Sequence, residues 1–281
     1  MKNAIQTLTE AIQTLTAAGA FCAGRPVVPG TIGSEHAATG AALLTNPSKM
    51  PGYSWSLPAG NAKMGQAEGM CPGAISGPDS TCNGCYANPD SIKLSKTGKP
   101  MRRGGNYDRY SVRRAQSARR QWTLDCLGSK EGRDQWVAVM SAAILWASRL
   151  SSGKSDPSSP RQPWFRWHDS GDVFNPRYAD MINDVCAALP DVRFWLPTRS
   201  WHNTPRILRQ LVVLNELPNV AVRPSALFLH EDAPVVPGLS AGTGVKATEY
   251  NCPASSQQNE CRACRKCWDT NPERPVYYHL H

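Results

Sequence analysis

At 281 residues, with 41% apolar residues, nine Trp, 23 Pro and 22 Gly, the sequence fits one large domain or two ordinary ones rich in loops, not a fibrous or disordered chain. The net charge is +9, and between Lys93 and Arg120 ten basic residues face one acid, Asp108; such a segment is either a solvated surface or a seat for phosphate or nucleic acid. The start lacks the apolar stretch of a signal peptide and no run of roughly eighteen apolar residues occurs, so a cytoplasmic protein with no membrane partner and reduced cysteines is expected.

Taken in chain order, "AIQTLT" at 4–9 repeats at 11–16, placing Ile5, Leu8, Ile12 and Leu15 at heptad spacing. Two heptads are too few for a coiled coil, so this reads as an amphipathic helix packed on the body or on a second subunit. Residues 1–50 form this N-terminal helix and a loop rich in Gly, Pro and Ala. Strand "YSWSLPAG" (53–60) then runs into a cysteine loop, and 106–122 and 134–150 read as helices. Next come the strand "PWFRWHDSGDV" (163–173), a helix to about 188, the strand "VRFWLPTR" (192–199), a helix over 204–216 and the strand "NVAVRPS" (219–225).

This βα alternation over 51–230 predicts an α/β fold with parallel strands, a partial (β/α) TIM-type barrel. Such folds place their sites at the carboxyl ends of the strands. Here those ends carry His168, Asp169, Ser170, Gly171 and Asp172, then Thr198 and Arg199, then Arg223 and Ser225. A polar strand end also serves as a helix cap, and an arginine as half of a salt bridge. His168 and Asp169, adjacent on a strand, are expected to face opposite ways. Residues 231–281 form a cysteine-rich extension, closed by a candidate last strand, "RPVYYHLH".

The cysteines fall into two groups. Cys252, Cys261, Cys264 and Cys267 are spaced C-x8-C-x2-C-x2-C. Four thiolates complete either a zinc site or a [4Fe–4S] cluster, and a C-x2-C-x2-C run with one distant cysteine follows the ferredoxin pattern more closely than paired zinc ligands. Cys71, Cys82 and Cys85 are spaced C-x10-C-x2-C. A zinc site here would need a fourth ligand such as His36, whereas three thiolates on a [4Fe–4S] cluster leave one iron open to a small molecule. Cys22, Cys126 and Cys186 fit no pattern, and an apolar helix face accounts for Cys186.

"CNGCYA" after the first strand, with "FRWHDSGDV" and "FWLPTRS", resembles the radical S-adenosylmethionine (SAM) superfamily, in a divergent phage and bacterial branch of the phage gene product 88 type. The resemblance covers about residues 50–270. The superfamily's usual first gap is three residues and here it is ten, but a loop with Gly73, Gly77 and Pro78 folds back on itself readily. The resemblance implies that Cys71, Cys82 and Cys85 hold a [4Fe–4S] cluster whose open iron takes SAM. It implies that Ser170, Gly171 and Asp172 contact the SAM amine, that Arg199 or Arg223 pairs with its carboxylate, and that Thr198, Ser225 and Tyr86 complete the cofactor site. His168 and Asp169 become candidate catalytic residues.

Reductive cleavage of SAM would give a 5′-deoxyadenosyl radical, with flavodoxin or ferredoxin as external electron donor, and the four-cysteine group would hold a second cluster or zinc. Arg102, Arg109, Arg113 and Arg120 share one face of a helix beginning near 102 and, with Trp122 for stacking, point to a nucleic acid or nucleotide substrate. The expected activity is radical chemistry, such as an isomerisation, on a nucleobase or modified thymidine in phage DNA hypermodification, in the host cytoplasm if the gene is phage-borne. The alternative is a non-catalytic nucleic-acid-binding protein stabilised by zinc or iron–sulfur.

Overall fold

The computed structural model describes residues 7–35, 38–77, 79–83, 85, 87, 92–94, 100–102, 110–151, 163–271 and 273–280. Helix α1 (Leu8–Ala17) opens on a capping box in which the Thr7 hydroxyl accepts from Glu10 N and the Glu10 carboxylate accepts from Thr7 N. It buries Ala11 and Leu15 and docks on α3 (Lys130–Ser151), while Leu8 stays exposed. The described part of the repeat therefore packs on the body through Ala11 and Leu15, and Ile5 lies outside the described residues. A small hairpin, β1 (Phe21–Cys22) with β2 (Arg25–Pro26), follows.

The centre is a parallel sheet of four strands in chain order: β3 (Tyr53–Ser56), β6 (Trp164–Ser170), β7 (Arg193–Thr198) and β8 (Val220–Pro224). Between β3 and β6 lie an antiparallel pair, β4 (Ile92–Leu94) with β5 (Pro100–Arg102), then α2 (Tyr110–Leu127) and α3. Helix α4 (Pro176–Ala188) connects β6 to β7, and α5 (Pro205–Asn215) connects β7 to β8. Both start on a side-chain cap followed by Pro at the first helical position, Asn175 with Pro176 and Thr204 with Pro205, which fixes where each helix leaves its strand. The helices pack side by side, α2 on α3, α3 on α4 and α4 on α5.

One sheet face carries Phe165, Trp167, Phe194, Leu196, Val220 and Val222 into the core with these helices. Trp136 is the hub: it stacks on Trp122 at 6.0 Å and on Trp167 at 6.2 Å and meets Trp55 edge-on at 6.0 Å. Each such side chain contributes about 1.5–3 kcal/mol by burial. Trp122, expected to stack on bases, is thus a core residue.

The other sheet face carries Trp164, Arg166, Trp195 and Arg223, and the C-terminal extension covers it. Trp268 meets Trp164 at 5.6 Å and Trp195 at 5.2 Å, and its Nε1 donates to Phe165 O at 3.0 Å. The extension also supplies β10 (Val276–His279), which pairs in parallel with β9 (Thr243–Lys246). The architecture is mixed α/β with an open four-stranded parallel sheet, and no closed barrel is formed among the described residues. No helix among them is long and apolar enough to cross a membrane.

Candidate active site

Register shows how the end of β6 is shaped. Ser54 pairs with Arg166 but Ser56 with Ser170, so four steps on β6 oppose two on β3. The surplus is a bulge, and within it His168 adopts φ +58°, a left-handed conformation that costs a non-glycine residue about 1 kcal/mol or more. Strict alternation is therefore lost, and His168 and Asp169 are both buried. His168 Nε2 lies 2.8 Å from the Tyr178 hydroxyl on α4, and its Nδ1 is buried with no hydrogen-bond partner among the described residues. Burial, aided by the Arg166 charge, pushes the His168 pKa down to about 3, so the ring is neutral near pH 7.

The turn after β6 ties the strand ends together. Ser170 Oγ donates to Leu57 O at 2.7 Å. Gly171 has φ +79°, and a Cβ there would stand 2.6 Å from Leu57 Cβ. Asp172 Oδ1 accepts from Thr198 Oγ1 and Val173 N, both at 2.7 Å, and Oδ2 accepts from Arg199 N at 2.8 Å. Burial raises the Asp172 pKa, opposed by these hydrogen bonds and by Arg199. Ser225 N donates to Thr198 O, and Ser225 Oγ accepts from Thr243 Oγ1.

The first cysteine loop is laid across these ends. Asp172 N donates to Met70 O at 2.9 Å, which pins the loop to β6. Gly73 packs on the backbone after β7, where a Cβ would fall 2.3 Å from Arg199 O, and His202 Nε2 donates to Gly73 O at 3.0 Å. Ser80 bridges Phe228 and Thr81 N donates to Leu227 O at 3.1 Å, holding the loop beside β8. Asn61 Nδ2 closes the near end on Cys71 O and Ala74 O. Ten intervening residues thus bring the three cysteines to one edge. The Cys71 thiol pKa is raised well above its usual value by burial first, then by Asp172, Cys85 and Cys82.

The second group hangs from Arg223. This side chain is fully buried, and all five guanidinium donors are committed: Nε to Cys267 O, Nη1 to Ala241 O and Arg274 O, Nη2 to Lys266 O and Asp269 O, at 2.6–3.1 Å. No donor is left for a cofactor carboxylate, which corrects the ligand role expected of Arg223. Arg199 is half-buried, with Nε on Ala226 O at 3.3 Å. Burial first and neighbouring cysteines next push Cys261 up to about 11 and Cys267 up to about 12, and Cys252 is raised by burial and by Cys264. The four thiols therefore lie within electrostatic reach of one another, and Arg166, Arg223, Arg265 and Lys266 oppose the rise. Tyr278 Oη sits 3.4 Å from Cys267 Sγ.

Both groups offer soft thiol donors of the kind zinc and iron–sulfur clusters take. Among the described residues no three His, Cys, Asp or Glu side chains are drawn close enough to hold a metal ion as they stand. Burial first, and neighbouring cysteines next, disfavour bare thiolates at both places, and a bound cationic centre would offset both effects, so the donor chemistry fits such a group at each place.

The arginine stripe is only partly assembled. Helix α2 starts at Tyr110, and Arg102 ends β5 instead of sharing that helix. Arg113 is exposed and Arg120 half-buried, seven residues apart on α2. Arg109, Tyr86 and His36 lie outside the described residues. Asn61, Tyr178 and His202, absent from the sequence expectations, and Gly73, expected only as a turn residue of the cysteine loop, position the site.

The family model described as Gene product 88 matches residues 31–234. The chain belongs to the Gene product 88 family. The matched span takes in the parallel sheet and the first cysteine loop and stops before Cys252, so the four-cysteine extension lies beyond the Gene product 88 region. No match was found among curated proteins or among solved structures.

Proposed function

We propose that this Gene product 88 protein is an iron–sulfur enzyme of the radical SAM type, built as a partial barrel, acting on a nucleobase or modified thymidine. The single observation that carries the reading is the three-thiol loop docked across the carboxyl ends of β6, β7 and β8, where parallel α/β folds build their sites. Cys71, Cys82 and Cys85 would hold a [4Fe–4S] cluster, and Cys252, Cys261, Cys264 and Cys267 a second one or zinc. With SAM bound, such a centre supplies a carbon-centred radical that takes hydrogen from the substrate.

The chain's own residues set the surroundings. Asp172 accepts three hydrogen bonds and has capacity for one more at Oδ2, which suits an ammonium donor. Arg199, half-buried at the end of β7, is the remaining arginine for a carboxylate. Neutral His168 and buried Asp169 line the strand end beneath, and Gly171 lets the β6 turn approach Leu57 closely enough to exclude water.

A second reading, a metal-stabilised nucleic-acid-binding protein without catalysis, is favoured by the way Asp172 and Arg223 are bonded into the fold. One assay separates the two. Protein purified without oxygen, given SAM and a reductant, is expected to form 5′-deoxyadenosine, and the Cys71→Ala variant is not. Zinc without iron in the wild type, or iron with no SAM cleavage, would sink the catalytic reading.

A further inference from the structure

A cavity of about 540 Å³ opens on the flank of the edge strand β3, between the β1–β2 hairpin, the loop at 39–46, the start of α2 and α3. None of its lining residues belongs to either cysteine segment. Its size falls within the range of about 300–1,000 Å³ typical of small-molecule sites.

The lining defines the ligand. Its ionisable side chains near neutral pH are all arginines, Arg25, Arg114 and Arg119, with no acid among them. Arg119 is fixed, donating to Ala42 O, Thr45 Oγ1 and Ser56 O at 2.8–3.2 Å, and contributes charge from below. Arg25 is exposed, and its Nη2 reaches Thr39 Oγ1 and Gly40 O only at 3.4 and 3.3 Å, long contacts that an anion's oxygen would readily replace. Tyr53 and Trp146, both half-buried and edge-to-face at 6.2 Å, supply the aromatic wall. Cationic groups at one side and aromatic surface at the other select a ligand that is anionic at one end and flat at the other.

We propose that this cavity is a nucleotide-binding cleft, with Arg25 taking the phosphate, Arg114 and Arg119 adding positive charge to the lining, and Tyr53 and Trp146 forming one aromatic wall against the base. It deepens the nucleic-acid side of the proposed function and rests on that reading for the choice of a base over another flat anion. The shared chemistry is a phosphate joined to a nucleobase, either as a free nucleotide or as one unit of a strand.

The test is binding of thymidine 5′-monophosphate, inorganic phosphate and a labelled oligothymidylate to the full chain, by calorimetry and fluorescence anisotropy. The mononucleotide is expected to bind at least about tenfold more tightly than phosphate, and Arg25→Gln to weaken it about tenfold, as loss of one charge-assisted hydrogen bond does. Arg206→Gln, at an exposed position on α5 outside the lining, should leave it unchanged. If the oligothymidylate displaces the mononucleotide, the source is a strand; if it does not, the source is the free nucleotide. No binding, equal binding of mononucleotide and phosphate, or equal losses in the two arginine variants overturns the cleft. Formation of 5′-deoxyadenosine is scored separately: nucleotide binding without SAM cleavage sinks the catalytic reading and leaves the cleft, whereas SAM cleavage with Arg25→Gln binding as wild type sinks the cleft alone.

Discussion

The loop carrying Cys71, Cys82 and Cys85 and the segment carrying Cys252 to Cys267 lean on the same parallel sheet, but at different places and through different contacts. The loop crosses the strand ends and is tied to three strands by single backbone hydrogen bonds, a bridge and a close glycine contact. The extension covers a sheet face and is held by one buried guanidinium with five main-chain acceptors, plus a tryptophan wedged between Trp164 and Trp195. Under the proposed function, a three-thiol group at the strand ends suits a centre that must leave room for a ligand. A four-thiol group locked onto a face suits a centre that closes the fold. Under the proposed function, position as much as ligand number would separate the reactive centre from the structural one.

The comparison breaks most visibly at Arg223. Replacing it by Met leaves five buried or part-buried carbonyls without their donor and frees the extension, so Arg223→Met should lose about 4 kcal/mol or more of stability, read from urea melts. Retention of near wild-type stability would show that the extension is not held this way. The edge should respond less severely. In Asp172→Asn one carboxylate oxygen becomes an NH2 facing a backbone N–H or the Thr198 hydroxyl, so a loss of about 2–3 kcal/mol is expected by the same measurement.

His168 sharpens the contrast through pH. The unfolded chain protonates this imidazole near its ordinary pKa of 6.5, the folded protein only near about 3. A lowered pKa means the stability contribution is complete above 6.5 and is lost as pH falls toward 3. Between about pH 8 and about pH 5 the loss should reach about 2 kcal/mol. His168→Asn, which tolerates the left-handed backbone, should remove that part of the acid slope. An unchanged slope in the variant would place the titration elsewhere.

Much of the sheet was legible in the sequence because its strands are short apolar runs separated by capped helices: 192–199 was expected and Arg193–Thr198 is found, 204–216 was expected and Pro205–Asn215 is found. The misses have local physical causes. Arg223 at a strand end looked like a ligand because periodicity cannot tell an arginine facing a site from one buried under a later segment of chain. Trp122 sits among arginines on α2, and only its partners Trp55 and Trp136, distant in sequence, reveal it as core. The β6 bulge is invisible to a two-residue alternation, although a histidine directly before "DSGD" marks a place where a turn-tolerant residue is useful. The stripe from Arg102 to Arg120 assumed one helix where a hairpin strand ends and a later helix begins.

The central claim is that the edge loop holds an iron–sulfur centre with protein ligands from three cysteines only. It is tested most directly by iron and acid-labile sulfide quantitation on oxygen-protected protein, comparing wild type with Cys71→Ala/Cys82→Ala/Cys85→Ala. The account predicts that the triple variant loses about four irons and four sulfides per chain while the fold persists. An unchanged iron content, or zinc in place of iron at that loop, would contradict it.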